Sequence, residues 1–93
     1  MKAIITVLGK DQIGIIAKVC IYLSERQINI CDISQNIVQG YFNMMMIVDL
    51  SQSTESFAQT AEGLENLGNE IGLVIKLQHE GIFNSMHRIS KGK

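Results

Sequence analysis

The sequence predicts an α+β sandwich, with two helices covering one face of a four-stranded antiparallel sheet in the chain order βαββαβ. Three observations carry that prediction. Short apolar runs of strand character fall at residues 2–8, 28–39, 41–50 and 73–79. Two intervening stretches, 14–26 and 57–71, repeat their apolar residues every three or four positions instead. Glycines mark the boundaries at Gly9, Gly14, Gly40 and Gly72.

Each element follows from its own pattern. Residues 2–8 are apolar on both faces, with Ala3, Ile5 and Val7 on one and Ile4 and Leu8 on the other, as in a central strand, and Gly9 ends the run. After the loop 9–14, a helix over about 14–26 turns Ile16, Val19, Cys20 and Leu23 inward. Asp11 and Gln12 stand just before it as acceptors for its free amides. In residues 28–39 the period-2 pattern slips at Cys31–Asp32, the mark of a bulge. Ile28 and Ile30 are expected on one face, and Ile33 and Ile37 on the other. Gly40 turns the chain into residues 41–50, where Phe42, Met44, Met46, Val48 and Leu50 fill one face.

Ser53 or Thr54 is the expected cap of the second helix, with Glu55 in its first turn. The stripe Phe57, Ala61, Leu64, Gly68, Ile71 follows, and Gly68 and Gly72 are two candidate stops. Leu73, Ile75 and Leu77 alternate inward in the last strand. A short amphipathic helix carrying Ile82, Phe83, Met86 and Ile89 and a basic tail, Arg88 to Lys93, close the chain. Two interleaved βαβ-like units define the ferredoxin-like fold, and right-handed crossovers set its sheet order at 4-1-3-2. The face away from the helices then carries Ile4, Leu8, Met45, Ile47 and Val74, an apolar patch that either the C-terminal helix or a second subunit is expected to cover.

At 93 residues the chain is expected to form one domain over 1–93, with 82–93 as a helical extension. Hydrophobic residues make up 46% and charged residues 18%, against a usual charged share of about 25%, and the net charge is −1. This balance excludes a disordered chain and argues against a nucleic-acid binder, which needs a clustered positive field. The longest strictly apolar run, Met44 to Val48, is far below a membrane span. The expectation is a cytoplasmic protein without a secretory signal, its Cys20 and Cys31 held as small reduced core thiols rather than one disulfide.

The residues do not spell out a catalytic site. There is neither a Gly-x-Ser-x-Gly elbow nor a His-Glu-x-x-His pair. His79 and His87, with Glu80, are weak metal candidates across the last strand and the C-terminal helix, against the simpler reading of a polar surface junction. No cofactor is implied. Gly9-Lys10 fails as a phosphate loop because Asp11 follows where Ser or Thr is required. Asp11 instead suits an ammonium group, and the helix start beside it suits a carboxylate. An amino-acid cradle is one reading of this loop; a helix cap with glycines for tight turns is the other.

The run Gly9-Lys10-Asp11-Gln12-Ile13-Gly14-Ile15, with Ile28-Asn29-Ile30, Asp32-Ile33-Ser34-Gln35 and Gly40-Tyr41-Phe42, resembles the ACT domain. The tail from Gln78 to Ile89 is similar to that of the small stand-alone ACT proteins grouped as UPF0237. The resemblance spans about residues 1–90. It implies a regulatory module of amino-acid metabolism that pairs as a homodimer or higher oligomer and binds an amino acid or similar effector between copies. Carried over, the ligand positions are Gly9, Lys10, Asp11, Gln12, Ile13, Gly14 and Ile15, with Asn29, Ile30, Cys31 and Asp32 at the start of the second strand. Many ACT domains have Asp-Arg-Pro-Gly where this chain has Asp-Gln-Ile-Gly, so a cation and some loop stiffness are missing. No catalytic domain accompanies it, so the resemblance implies regulation of a separate enzyme. The alternative is an interaction adaptor that docks a partner through Ile82 to Ile89 and takes no small ligand.

Overall fold

A computed structural model of the protein describes residues 1–80. Its elements run β1 (Lys2–Lys10), α1 (Ile15–Glu25), β2 (Asn29–Val38), β3 (Tyr41–Asp49), α2 (Phe57–Ile71) and β4 (Val74–His79). The four strands form one antiparallel sheet in the order β2-β3-β1-β4, the expected order read from the other edge. The expected helix at 82–89 and His87 lie outside the described residues.

One face of the sheet and the inner faces of both helices make the core. Ala3, Ile5 and Val7 of β1 and Met44, Met46 and Val48 of β3 are fully buried, meeting Val19 and Leu23 of α1 and Leu64 of α2. Each large apolar side chain withdrawn from water in this layer contributes about 1.5–3 kcal/mol. Truncating Leu23, at the centre, to Ala would cost about 2–5 kcal/mol, because the walls cannot fully collapse into the gap. Leu73, Ile75 and Leu77 close the core at β4, as their alternation predicts.

The boundaries depart from the pattern at the end of β1 and at the starts of both helices. β1 does not stop at Gly9 but continues through it to Lys10, which pairs with Tyr41. Gly9 is needed for close approach, since a Cβ there would collide with the Leu73 side chain. α1 begins at Gly14, whose left-handed backbone (φ 87°) makes no side-chain cap, so neither Asp11 nor Gln12 caps the helix. Ile15 joins Val19 and Leu23 on its buried stripe, while Ile16 and Cys20 are only partly buried.

α2 is capped by Ser56 rather than Ser53 or Thr54. The Ser56 hydroxyl accepts from the Gln59 amide, and the Gln59 side chain accepts from the Ser56 amide. Ser53 instead accepts from the Glu55 amide in the preceding turn. Of the two glycine stops, Gly72 ends the helix in the left-handed region, its amide bonded to the Gly68 carbonyl. Gly68 is buried within the helix, where a Cβ would stand 2.6 Å from the Leu73 carbonyl oxygen.

The bulge in β2 falls where the pattern slips, with the opposite consequence. Ile30 pairs with Val48, Cys31 is left without a partner, and Asp32 pairs with Ile47. The extra residue restores phase, so Ile33 and Ile37 pair with Met46 and Phe42, on the helix side with Ile30. A two-residue turn of Gln39 and Gly40, both at positive φ, then joins β2 to β3, with Val38 paired to Tyr41.

The end of α1 is tied to the loop that leads into α2. The Arg26 guanidinium lies 3.6 Å from the centre of the Tyr22 ring, and its Nε is 3.4 Å from a Glu55 oxygen without hydrogen-bond alignment. Burial pushes the Tyr22 hydroxyl above the usual phenol value.

Candidate functional site

The β1–α1 loop is held from two sides. The Asp11 amide donates to the Gly40 carbonyl at 2.9 Å, and the Gln12 side-chain amide donates to the Ile71 carbonyl at 2.8 Å. Gly14 opens α1 with no side chain over its first amides, and the space where its Cβ would stand is empty. Free N–H groups at a helix start attract a carboxylate or other anion. Asp11, Gln12, Gly14 and Ile15 line a cleft of 230 Å³ whose far wall is Gln35 and Ile37 of β2. Lys10 is exposed at the strand end, and Ile13 is 98% exposed, pointing to solvent.

The second group of predicted residues lies elsewhere. Asn29 and Ile30 line a cleft of 450 Å³ with Cys20, Ser24, Gln27 and Gln52. Asn29 and Cys31 are exposed, and Ile30 is half-buried against the core. Asp32 is exposed, and its carboxylate accepts from the Ile33 amide at 2.9 Å.

The pairing shows how far apart the two groups are. Asn29 is level with Asp49 and, across β3, with Lys2, whereas Lys10 is level with Tyr41 and Val38. Eight strand steps of about 3.3 Å separate those rows, so the loop and Asn29 stand about 26 Å apart in one chain. The structure brings Asp11, Gln12, Gly14 and Ile15 together but does not bring them to Asn29. Both clefts nevertheless open along the α1–β2 side of the molecule.

Sequence reasoning missed Gln35 and Ile37 as neighbours of the loop, because their facing depends on the parity of the β2 bulge. It also missed Ser24, Gln27 and Gln52, polar residues with no motif around them. The two thiols are free, and Cys31 is exposed rather than a core thiol. The His79 ring stacks on Phe57 with centroids 4.1 Å apart. Among the described residues no group of three His, Cys, Asp or Glu is placed to hold a metal ion. No helix among them is long and apolar enough to cross a membrane.

Comparison with known proteins bears on this geometry. Residues 2–78 match the ACT domain family model. The chain is 56% identical over 88 residues to a UPF0237 protein of Bifidobacterium longum, covering 95% of this chain and 98% of that one. Among solved structures it is similar to an ACT domain protein from Streptococcus pneumoniae (41% identity, TM-score 0.79, 89% of this chain and 93% of that one). It is also similar to the regulatory subunit of aspartate kinase from Thermus thermophilus, in a ligand-free form (35% identity, TM-score 0.64, 83% of this chain and 50% of that one).

Proposed function

Since the chain belongs to the ACT domain family, we propose that it is a small regulatory module that binds an amino acid or similar small effector between two copies of itself and acts on a separate enzyme. The observation that carries this reading is the separation of the two halves of the site. The β1–α1 loop, with its uncapped helix start and Asp11, and the polar segment at Asn29 lie at opposite ends of one sheet edge. A second copy, turned by a two-fold axis so that the β2 edges run antiparallel, sets the loop of one beside Asn29 of the other.

The edge suits that pairing. β2 has one half-buried residue and is otherwise exposed, and its outer hydrogen-bonding groups have no strand beside them among the described residues. Ile33 and Ile37 are 40% and 56% exposed on its helix side, and Ile21 of α1 is 58% exposed. In such a site the free amides at Gly14–Ile15 would take the effector's carboxylate and Asp11 its ammonium, while Asn29 of the second copy would offer both a donor and an acceptor. Action on a separate enzyme draws its support from the likeness to a protein that is itself a regulatory subunit of a kinase.

The test combines sedimentation with thermal shift against the twenty amino acids and small nucleotides. A ligand at 100 times its Kd stabilises the folded state by about 2.7 kcal/mol, so a saturable rise in Tm is expected with one effector class. Asn29→Ala and Asp11→Asn should each abolish the rise while leaving the dimer intact. A folded dimer that responds to none of these compounds would sink the proposal.

A further inference from the structure

The cleft at Asn29 has no charged residue in its wall. Ile28 is buried and Ile30 half-buried there, whereas Ser24, Gln27, Asn29 and Gln52 are exposed, so an apolar interior carries a polar rim. The charged residues beside it in the chain and the sheet are engaged elsewhere. Arg26 lies over the Tyr22 ring and faces Glu55, Glu25 stands 3.6 Å from Arg26, and Asp49 accepts from the Ser51 amide.

Gln27 stands in this rim at a backbone cost. At the end of α1 the Gln27 amide donates to the Ser24 carbonyl at 3.1 Å, and the Ile28 amide to the Leu23 carbonyl at 3.0 Å. That pair of bonds puts Gln27 in the left-handed region, where glycine is the usual occupant. Its φ is 58°, whereas α2 closes on Gly72 in the same region. A side chain kept where the backbone favours none is expected to serve a contact. We propose that the cleft is the subsite for the effector's side chain, that Gln27 determines its specificity, and that the effector is an amino acid whose uncharged side chain ends in a carboxamide or a hydroxyl. The proposal rests on the shared site described above, in which the loop of one copy holds the carboxylate and ammonium and the cleft of the second takes the remainder.

The lining selects by what it offers. Gln27, Asn29 and Gln52 each carry a donor and an acceptor, and the Ser24 hydroxyl serves as either. A carboxamide or hydroxyl pairs with such groups in both senses. A carboxylate or ammonium would give up hydration with no opposite charge in the wall to replace it. A wholly apolar side chain would displace water from the rim and return no hydrogen bond. Ile28 and Ile30 suit the aliphatic stem between the amino-acid backbone and the polar end. The volume of 450 Å³ lies within the range of about 300–1,000 Å³ usual for small-molecule sites.

Calorimetric titration of the full chain with isosteric pairs tests it. In glutamine against glutamate or in threonine against valine, the uncharged hydrogen-bonding member should bind about tenfold tighter, the fold-change of one hydrogen bond. Gln27→Gly should weaken that ligand by about tenfold while the Tm of the free protein stays level or rises, because glycine relieves the left-handed position. Weaker binding together with a lower Tm would mark a structural role and overturn the assignment. Preference for the charged or apolar member of both pairs, or unchanged binding in Gln27→Gly, would overturn the subsite and leave the shared site standing. A folded dimer that binds no amino acid would overturn the shared site and the subsite with it.

Discussion

The Gln12 side-chain amide donates a 2.8 Å hydrogen bond to the backbone carbonyl of Ile71, fifty-nine positions further along the chain. Ile71 is the last residue of α2, where carbonyls have no partner within the helix. The loop that opens the candidate site is thus tied to the corner between α2 and β4. Gln12→Ala should cost about 1 kcal/mol or less, because the bond is exposed and water replaces it. Hydrogen exchange at Asp11, whose amide is bonded to Gly40, should speed up. Gln12→Glu should do at least as much, since a carboxylate cannot donate to a carbonyl. Urea titration and amide exchange read both.

Gly68→Ala and Gly72→Ala should differ, although both glycines read alike as helix stops. Gly72 sits at φ 77° with open space around it, so Ala there meets only the left-handed backbone cost of about 1–2 kcal/mol. A methyl at Gly68 meets the Leu73 carbonyl 2.6 Å away, and backbone cannot rotate aside as a side chain can. That substitution should cost more than about 2 kcal/mol, outweighing the gain in helix propensity of up to about 1 kcal/mol. Thermal denaturation of the two variants side by side is the check.

Much of this was legible in the sequence, and the failures share a cause. Element order, sheet order, the position of the β2 bulge and a hairpin at Gly40 all follow from periodicity, crossover handedness and turn chemistry, although Gln39 reads as strand and belongs to the turn. The Ser56 cap was hidden because Ser53, Thr54 and Ser56 are equally good acceptors, and only the reach of Gln59 back to the Ser56 amide selects among them. Gly9 was misread as a strand end because its partner, Leu73, is sixty-four positions away. The candidate site divides the same way: the loop at Asp11 to Ile15 can be read locally, whereas its distance from Asn29 is a property of the assembled sheet.

Ser56→Ala should destabilise the fold by about 1 kcal/mol through loss of the hydroxyl that accepts from the Gln59 backbone amide, and Ser56→Asp should restore most of it. Replacing Ser53 should do less, since its hydroxyl serves a turn rather than the helix. Equilibrium unfolding of the three variants ranks them.

The Asp49 carboxyl is held below its usual value, first by the Ser51 hydroxyl and then by the Ser51 amide, both of which donate to the same oxygen. A depressed carboxyl stabilises the fold at pH above its unfolded value, near about 3.9, and that contribution is lost as pH falls through the lower folded value. Ser51→Ala should raise the Asp49 value toward the ordinary range and weaken the acid dependence of stability in that window. Carboxyl-carbon NMR titration measures the first effect, and unfolding between about pH 2 and 5 the second.

The unpaired position in β2 gives Cys31 a role that does not depend on sulfur. Counting from Ile30 with Cys31 left out, each later side chain lies on the helix side or the far side according to whether an odd or even number of residues intervenes. Cys31 is the extra residue that the bulge takes out of that count. Almost any amino acid can stand there, but the position must stay out of the ladder: if Cys31 paired with Ile47, then Ile33, Gln35 and Ile37 would turn over together and carry the far wall of the loop cleft to the wrong side of the sheet.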